Sequence, residues 1–477
     1  MQELVYTALV PHPPIVIPAV GGTESAKVQA TQTAMETMAQ ELMAAKPDTV
    51  IIISPHGPVF QDAIAVHMMG FIAGDLGVFG APEVAFSLEV DQELGRLVSQ
   101  EAGHSGILTA PVTSDRAALW NAERLDHGTM VPLYYLTQAG WTGPILPIAM
   151  GLLPRLQLYR FGQALQRAID RSGRRVALLA SGDLSHRLTP DAPAGFNPKG
   201  QTFDHEIVEL LAQGDLARLF SLDHDLCEDA GECGLRPLMM LAGALDGLAL
   251  KPHLLSYEGP FGVGYAVAPI RPGLPEPSRQ LYPVLEQARR QRIEQERSHA
   301  HPIVALARMA LEHYVKTGLQ LDFSAGAPHE GTAPVQLPPE LPQQAGVFVS
   351  LKLDGDLRGC MGTTAPTEPT LALEVVRNAI MAGTDDPRFS AVEEEELPFL
   401  DYSVDVLGPA VPCNYAELDP HRYGVIVEKG RHTGLLLPDL PGIDSVDEQV
   451  SVACQKAGLT PGESGIRLYR FEVQRFR

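Results

Sequence analysis

Cysteine is scarce in this chain and cations are outnumbered: 477 residues hold 5 cysteines, with 36 Lys and Arg against 58 Asp and Glu. An odd set of thiols without regular spacing does not suit a disulfide framework, so the cysteines read as the reduced thiols of a cytosolic protein. A formal net charge of -22 repels polyanions at long range, which excludes nucleic acid and anionic membrane as expected partners. Long apolar runs are missing too, and no segment is suited to crossing a bilayer. Met1-Gln2-Glu3-Leu4 carries no cationic leader, and Pro11, Pro13 and Pro14 interrupt the apolar run that a signal peptide needs. The expectation from these absences is a cytoplasmic globular protein. Its length exceeds what one core usually supports, so two domains are expected, and no internal repeat is visible.

The clearest positive signal is Val50-Ile51-Ile52-Ile53, four β-branched residues that fit a strand buried on both faces. Ser54-Pro55-His56-Gly57-Pro58 then extends neither strand nor helix, which leaves His56 just past the strand's carboxyl end. Leu4 to Val10 repeats the design, with Pro11-His12-Pro13-Pro14 as its stop. Between them, Glu24 to Ala45 has helical spacing. The resulting βαβ unit, with its right-handed crossover, puts His12 and His56 on the same edge of a parallel sheet. Ligands bind at that edge in open α/β sheets. A third strand, Arg175 to Ala180, runs into Ser181-Gly182-Asp183-Leu184-Ser185-His186. His127 follows Asp126 in a loop that turns into a helix capped by Asp126 or Thr129; taken alone, it also reads as a solvated loop histidine.

Asp229-Ala230-Gly231-Glu232-Cys233-Gly234 leads into a helix over Leu238 to Leu245, so a carboxylate and a thiol lie side by side at a helix start. The structural alternative for Glu232 is an acid complementing the helix dipole. Strands around His253 to Tyr257 and Tyr265 to Ile270 are expected to close the sheet. Arg271-Pro272-Gly273-Leu274-Pro275-Glu276-Pro277 marks a boundary, giving an α/β domain over 1–272 and a connector over 273–297 with a charged helix. An α+β domain over 298–477 contains a long loop, Phe323 to Gln344. Within it, an alternating strand from Gly346 to Leu353 turns through Asp354-Gly355 into Leu357-Arg358-Gly359-Cys360-Met361-Gly362. Arg358 and Cys360 are the candidates there: a cleft thiol beside a cation that lowers its pKa, against a tight turn with a packed cysteine.

Four loop histidines at one sheet edge, plus a carboxylate, suit a non-haem Fe(II) oxygenase, in which two imidazoles and one carboxylate leave positions open for substrate and O₂. The motifs Pro11-His12-Pro13-Pro14, Ser54-Pro55-His56-Gly57, Leu125-Asp126-His127-Gly128-Thr129 and Ser181-Gly182-Asp183-Leu184-Ser185-His186 resemble those of LigB-type, class III extradiol dioxygenases, including their Memo-like branch. That resemblance implies His12 and His56 as iron ligands, His127 as a substrate-pocket residue and His186 as acid/base. The third ligand is Glu232, as in the dioxygenases, or Cys233, as in the Memo-like branch. Glu232 is preferred, because a carboxylate lowers the ion's charge and keeps it hard enough for an oxygen chelate, whereas a thiolate favours copper or zinc and invites oxidation. Residues 296–477 resemble an AMMECR-type domain through Leu357 to Thr363, Asp386-Pro387-Arg388-Phe389 and Gly434 to Pro438. The whole chain is similar to Memo–AMMECR fusion proteins, which implies a radical-SAM partner. The leading expectation is therefore ring cleavage of a catechol-like aromatic diol with O₂; the rival is a Memo-like metal-binding scaffold.

Overall fold

The computed structural model describes residues 3–117, 122–321, 337–440 and 442–477. The chain forms two compact units, Met1–Ala288 and Arg289–Arg477, and the division falls within the helix Tyr282–His299. Among the described residues no helix is long and apolar enough to cross a membrane. Part of the expected 323–344 loop lies outside them.

The first unit is built on nine strands: β1 (Leu4–Val10), β2 (Thr49–Ser54), β3 (Ala63–His67), β6 (Leu108–Val112), β7 (Ile145–Ala149), β8 (Val176–Ser181), β9 (Leu248–Pro252), β10 (Ser256–Glu258) and β11 (Tyr265–Pro275). β4 (Phe71–Leu76) and β5 (Ala81–Glu89) form a separate antiparallel hairpin. The main sheet has the order β10-β11-β1-β8-β2-β7-β3-β6, with β9 also on β11. Its centre is parallel, from β1 through β8 and β2 to β7, and it turns antiparallel where β11 joins β1 and where β3 joins β7. Every residue of β2, β7 and β8 is buried, so both faces are covered, as runs of Val, Ile and Leu require. Each such side chain contributes on the order of 1.5–3 kcal/mol through burial.

One adjacency lay beyond the sequence expectation, and one boundary departs from it. β8 lies between β1 and β2, because a right-handed crossover fixes the direction of two strands and leaves their adjacency open. The late helix starts earlier than its spacing suggests, at Leu235, and ends at Ala244. Flanking helices include Gln29–Ala44, His127–Gln138 and Arg155–Ser172.

The second unit is α+β. Strands β12 (Val347–Leu353), β13 (Asp356–Gly362), β14 (Leu400–Leu407) and β19 (Val473–Phe476) make an antiparallel sheet in the order β13-β12-β14-β19. Val347, Val349 and Leu351 point into a core shared with the helices Pro302–Thr317 and Leu371–Thr384. β15 (Val411–Cys413), β16 (Gly424–Lys429), β17 (His432–Leu436) and β18 (Arg467–Phe471) form another antiparallel sheet with a small core of its own, against the helix Val446–Ala457.

Candidate metal centre

Three neighbouring parallel strands, β1, β8 and β2, end at the same edge, and the loops that follow them bring their polar residues together. His12, held between Pro11 and Pro13, is buried; its backbone N–H donates to the Asp183 carboxylate at 2.9 Å. Its Nδ1 lies 3.0 Å from the Ser181 hydroxyl, whose single proton is given to the Gly128 carbonyl. Ser181 therefore accepts from His12, which puts the ring proton on Nδ1 and leaves the Nε2 lone pair free. That Nε2 faces His56 Nε2 at 2.9 Å and Cys233 Sγ at 3.6 Å. The ligand atoms of His12, His56 and Cys233 all lie within 4.8 Å of one another.

Cys233 reaches this position through a close backbone contact. A Cβ on Gly182 would lie 2.1 Å from the Gly234 Cα, so glycine at 182 lets the turn before the helix Leu235–Ala244 rest on the end of β8, and a Cβ on Gly234 would itself sit tight, 3.0 Å from the Asp183 carbonyl. The turn is then pinned to Asp183, whose carbonyl accepts from the N–H of Cys233 and Gly234 and whose own N–H donates to the sulfur at 3.3 Å. Burial, with Asp183 close by, holds the thiol well above its usual range. Burial likewise lifts the Asp183 carboxyl to about 7.

The imidazoles are kept neutral, the form that binds metal. Burial, then the neighbouring rings, lowers His12; burial followed by His127 brings His56 to about 4. His56 is exposed, so the site opens to solvent on its side. His127 begins the helix His127–Gln138 with Asp126 as N-cap, and its ring stacks on His56 at 4.1 Å between centroids. Gly128 permits this approach, since a Cβ there would meet the Ser54 hydroxyl at 2.4 Å and the His56 ring at 3.3 Å. The Asp126 carboxylate serves Ser54 and Thr129, and Phe79, between β4 and β5, sets its ring edge-on to His127 at 5.6 Å.

His186 is not one of the three grouped ligands. It is half-buried, within electrostatic reach of His56, and its Nδ1 is buried without a hydrogen-bond partner. Glu232, the preferred third ligand from sequence, is not grouped with the two imidazoles. Its carboxylate accepts the Leu235 N–H at 2.6 Å and so serves the helix start, the structural role weighed for it, while Cys233 faces the imidazoles. Burial raises Glu232 to about 7. In this structure the N–H at the helix start holds the Glu232 carboxylate, and it is Cys233 that is grouped with the two imidazoles. Arg358 and Cys360 stand on β13 of the second unit. The Arg358 guanidinium is taken by a two-pronged pair with Glu396 at 2.7 and 2.9 Å, and burial raises the Cys360 thiol, outweighing the lowering by Ser350 and Arg388. Asp183 and Ser181 were given no role from sequence; their place at the end of a buried strand and the start of the loop that also carries His186 was the available signal.

Residues 6–268 match the family described as the catalytic LigB subunit of aromatic ring-opening dioxygenase, and residues 304–476 match AMMECR1. The chain belongs to the LigB family. With its AMMECR1 domain it has the Memo–AMMECR two-domain organisation that the motifs resemble. A Clostridium acetobutylicum protein, CA_C1420, is 40% identical over 471 residues, covering 98% of each chain. A Thermotoga maritima protein is 44% identical over 179 residues, 37% of this chain and 98% of its own. Among solved structures, PH0010 from Pyrococcus horikoshii has 34% identity over 36% of this chain and 88% of that one, with a TM-score of 0.32.

Proposed function

We propose that the LigB-type unit is a Memo-like metal site in which His12, His56 and Cys233 hold copper or zinc. The observation that carries this reading is the convergence of two imidazole Nε2 atoms and one sulfur, with the His12 lone pair turned inward by Ser181. Two imidazoles and a thiolate make a donor set soft enough to favour Cu(I) or Zn(II) over a hard oxygen-ligated ion. The 3.6 Å between Cys233 Sγ and His12 Nε2 is close to the separation expected of ligands bound at about 2.3 and 2.0–2.1 Å in a tetrahedral set.

When bound, such an ion supplies a Lewis acid, or with copper a one-electron centre. The protein's own groups do the rest. Asp183 fixes the His12 backbone and the Cys233 turn; His127 and Phe79 wall the open side at His56; His186, with its Nδ1 free of other partners, takes or gives a proton at a substrate there. A radical-SAM protein is the expected partner, supplying or receiving the small molecule.

Iron-dependent extradiol cleavage of an aromatic diol is the second reading, favoured by the match of residues 6–268 to a ring-opening dioxygenase subunit. Paired titrations separate the two. Cys233→Ser is expected to weaken copper and zinc binding at least tenfold and Glu232→Gln to leave it unchanged, with no O₂ uptake by iron-loaded protein across a catechol panel. Loss of iron binding in Glu232→Gln together with catechol-dependent O₂ uptake establishes the dioxygenase instead.

A further inference from the structure

The two imidazoles of the metal centre are held by different means. His12 is buried between two prolines, its backbone N–H donates to Asp183 and its Nδ1 to Ser181, so burial and hydrogen bonds fix the ring. His56 is exposed, and its one backbone tie is an N–H donated to the Ser54 hydroxyl at 3.2 Å. Among the described residues no group accepts from its Nδ1, although a histidine that binds metal ordinarily has its second ring nitrogen hydrogen-bonded. What meets the ring is another ring: the His127 imidazole, at 4.1 Å between centroids and 28° between planes.

His127 is backed in turn by the β4–β5 hairpin. Strand β4 rests on the segment from Arg124 to Met130: the Leu125 N–H donates to the Ala73 carbonyl at 2.9 Å, Asp75 pairs with Arg124, and a Cβ on Gly74 would meet Leu125 Cβ at 2.9 Å and Met130 Sδ at 2.8 Å. The turn Gly77–Phe79 at the tip is closed by the Gly77 N–H, which donates to the Asp75 carboxylate at 2.9 Å. Val78 on this turn is 88% exposed, whereas Phe79 is 38% exposed and sets its ring edge-on to His127, 5.6 Å away with 63° between planes. Hairpin tips are ordinarily built from glycine and polar residues, so a phenylalanine there calls for a partner. The ring it meets is His127.

We propose that Phe79 is a positioning residue for the metal ligand His56: its ring holds His127 against the face of His56, and this aromatic contact takes the place of the hydrogen bond that orients His12. The inference rests on His56 being a ligand. With the ring so held, His56 Nε2 stays turned toward His12 Nε2 and Cys233 Sγ. Aromatic pairs at these separations and angles attract one another beyond the area they bury. An exposed imidazole without such support turns about its side-chain bonds, and an ion must freeze that motion each time it binds. Release responds most directly, because a ring that swings away takes one ligand off the ion.

The test is zinc release from the full-length protein into excess chelator, followed by stopped flow, together with equilibrium competition against a chromophoric chelator. Phe79→Leu keeps an apolar cover and removes the ring; it is expected to speed release about 3- to 10-fold, the worth of one aromatic pair, and to weaken zinc binding by the same factor. Phe79→Tyr, which retains the ring, and Val78→Ala, on the same turn, are expected to stay within about twofold of wild type. The metal-free melting midpoint is expected to be unchanged in all three. In a His127→Ala background Phe79→Leu is expected to add nothing, since its effect passes through that ring. Release that Phe79→Leu leaves unchanged, a loss that Phe79→Tyr or Val78→Ala shares, faster release accompanied by a lower midpoint, or an effect that persists without His127 overturns the positioning role. His56→Ala separates that role from the ligand reading: zinc affinity lost there, with release unaltered in Phe79→Leu, removes the positioning role alone, and zinc affinity kept there removes both.

Discussion

Ser181→Ala tests how the site is prepared, because one hydroxyl both accepts the His12 Nδ1 proton and donates to the Gly128 carbonyl. Its removal strands two buried polar groups, each worth about 1–3 kcal/mol when left unpaired. Both are buried, so a loss of about 2–4 kcal/mol is expected overall. In a unit of this size that lowers the metal-free melting midpoint by roughly 3–7 °C. The second effect is on affinity. Without its acceptor the His12 ring is free to carry its proton on Nε2, and metal binding is expected to fall about 10- to 100-fold, the usual consequence of removing a partner that orients a ligand. Competition against a chromophoric chelator, run with zinc and with Cu(I), measures it. A variant that melts early yet binds within about twofold of wild type would show that Ser181 only packs, and would refute the tautomer argument.

Three further outcomes follow from particular side chains. His186→Ala should retain the metal and slow turnover about 10²- to 10⁴-fold; loss of metal in the chelator assay would make His186 a ligand. Glu232→Ala should cost about 0.5–2 kcal/mol in a urea titration through loss of the helix-start hydrogen bond, with metal affinity unchanged. Asp204, which accepts from the Ser185 N–H and the Tyr257 hydroxyl, is raised by burial to about 7. Unfolded, it titrates near ~3.9, so between those values the native state holds a proton that the unfolded chain has lost. Its contribution therefore makes stability fall as pH rises from about 4 to about 7. Asp204→Asn should flatten that fall in urea midpoints taken across the same range, and an unaltered slope would assign the dependence elsewhere.

The strands that deliver the site were legible because their signals are strong and local. Val50 to Ile53 has no other sensible placement, and each proline-bounded histidine marks a strand end. The intervening position of β8 was not legible, since strand direction follows from crossover handedness while adjacency depends on packing across the whole sheet. The hairpin that carries Phe79 was missed as well: Phe71–Leu76 contains Gly74 and Asp75, which weaken any strand pattern. The placement of Glu232 and Cys233 turns on a backbone contact. Charge neutralisation favours a carboxylate at a divalent ion, but the Gly182–Gly234 approach aims the Cys233 side chain at the imidazoles and leaves Glu232 beside the Leu235 N–H. In the second unit, Arg358 follows the same lesson. Its place two residues from Cys360 left an activated thiol and a packed cysteine both open; in the structure the guanidinium is engaged by Glu396.

The most direct measurement is X-ray absorption at the metal edge of zinc-loaded full-length protein, compared with Cys233→Ser and Glu232→Gln. A His12–His56–Cys233 site predicts one sulfur scatterer at about 2.3 Å beside imidazole nitrogens, lost in Cys233→Ser and unchanged in Glu232→Gln. A shell of nitrogen and oxygen alone, unaffected by Cys233→Ser and altered by Glu232→Gln, would contradict it.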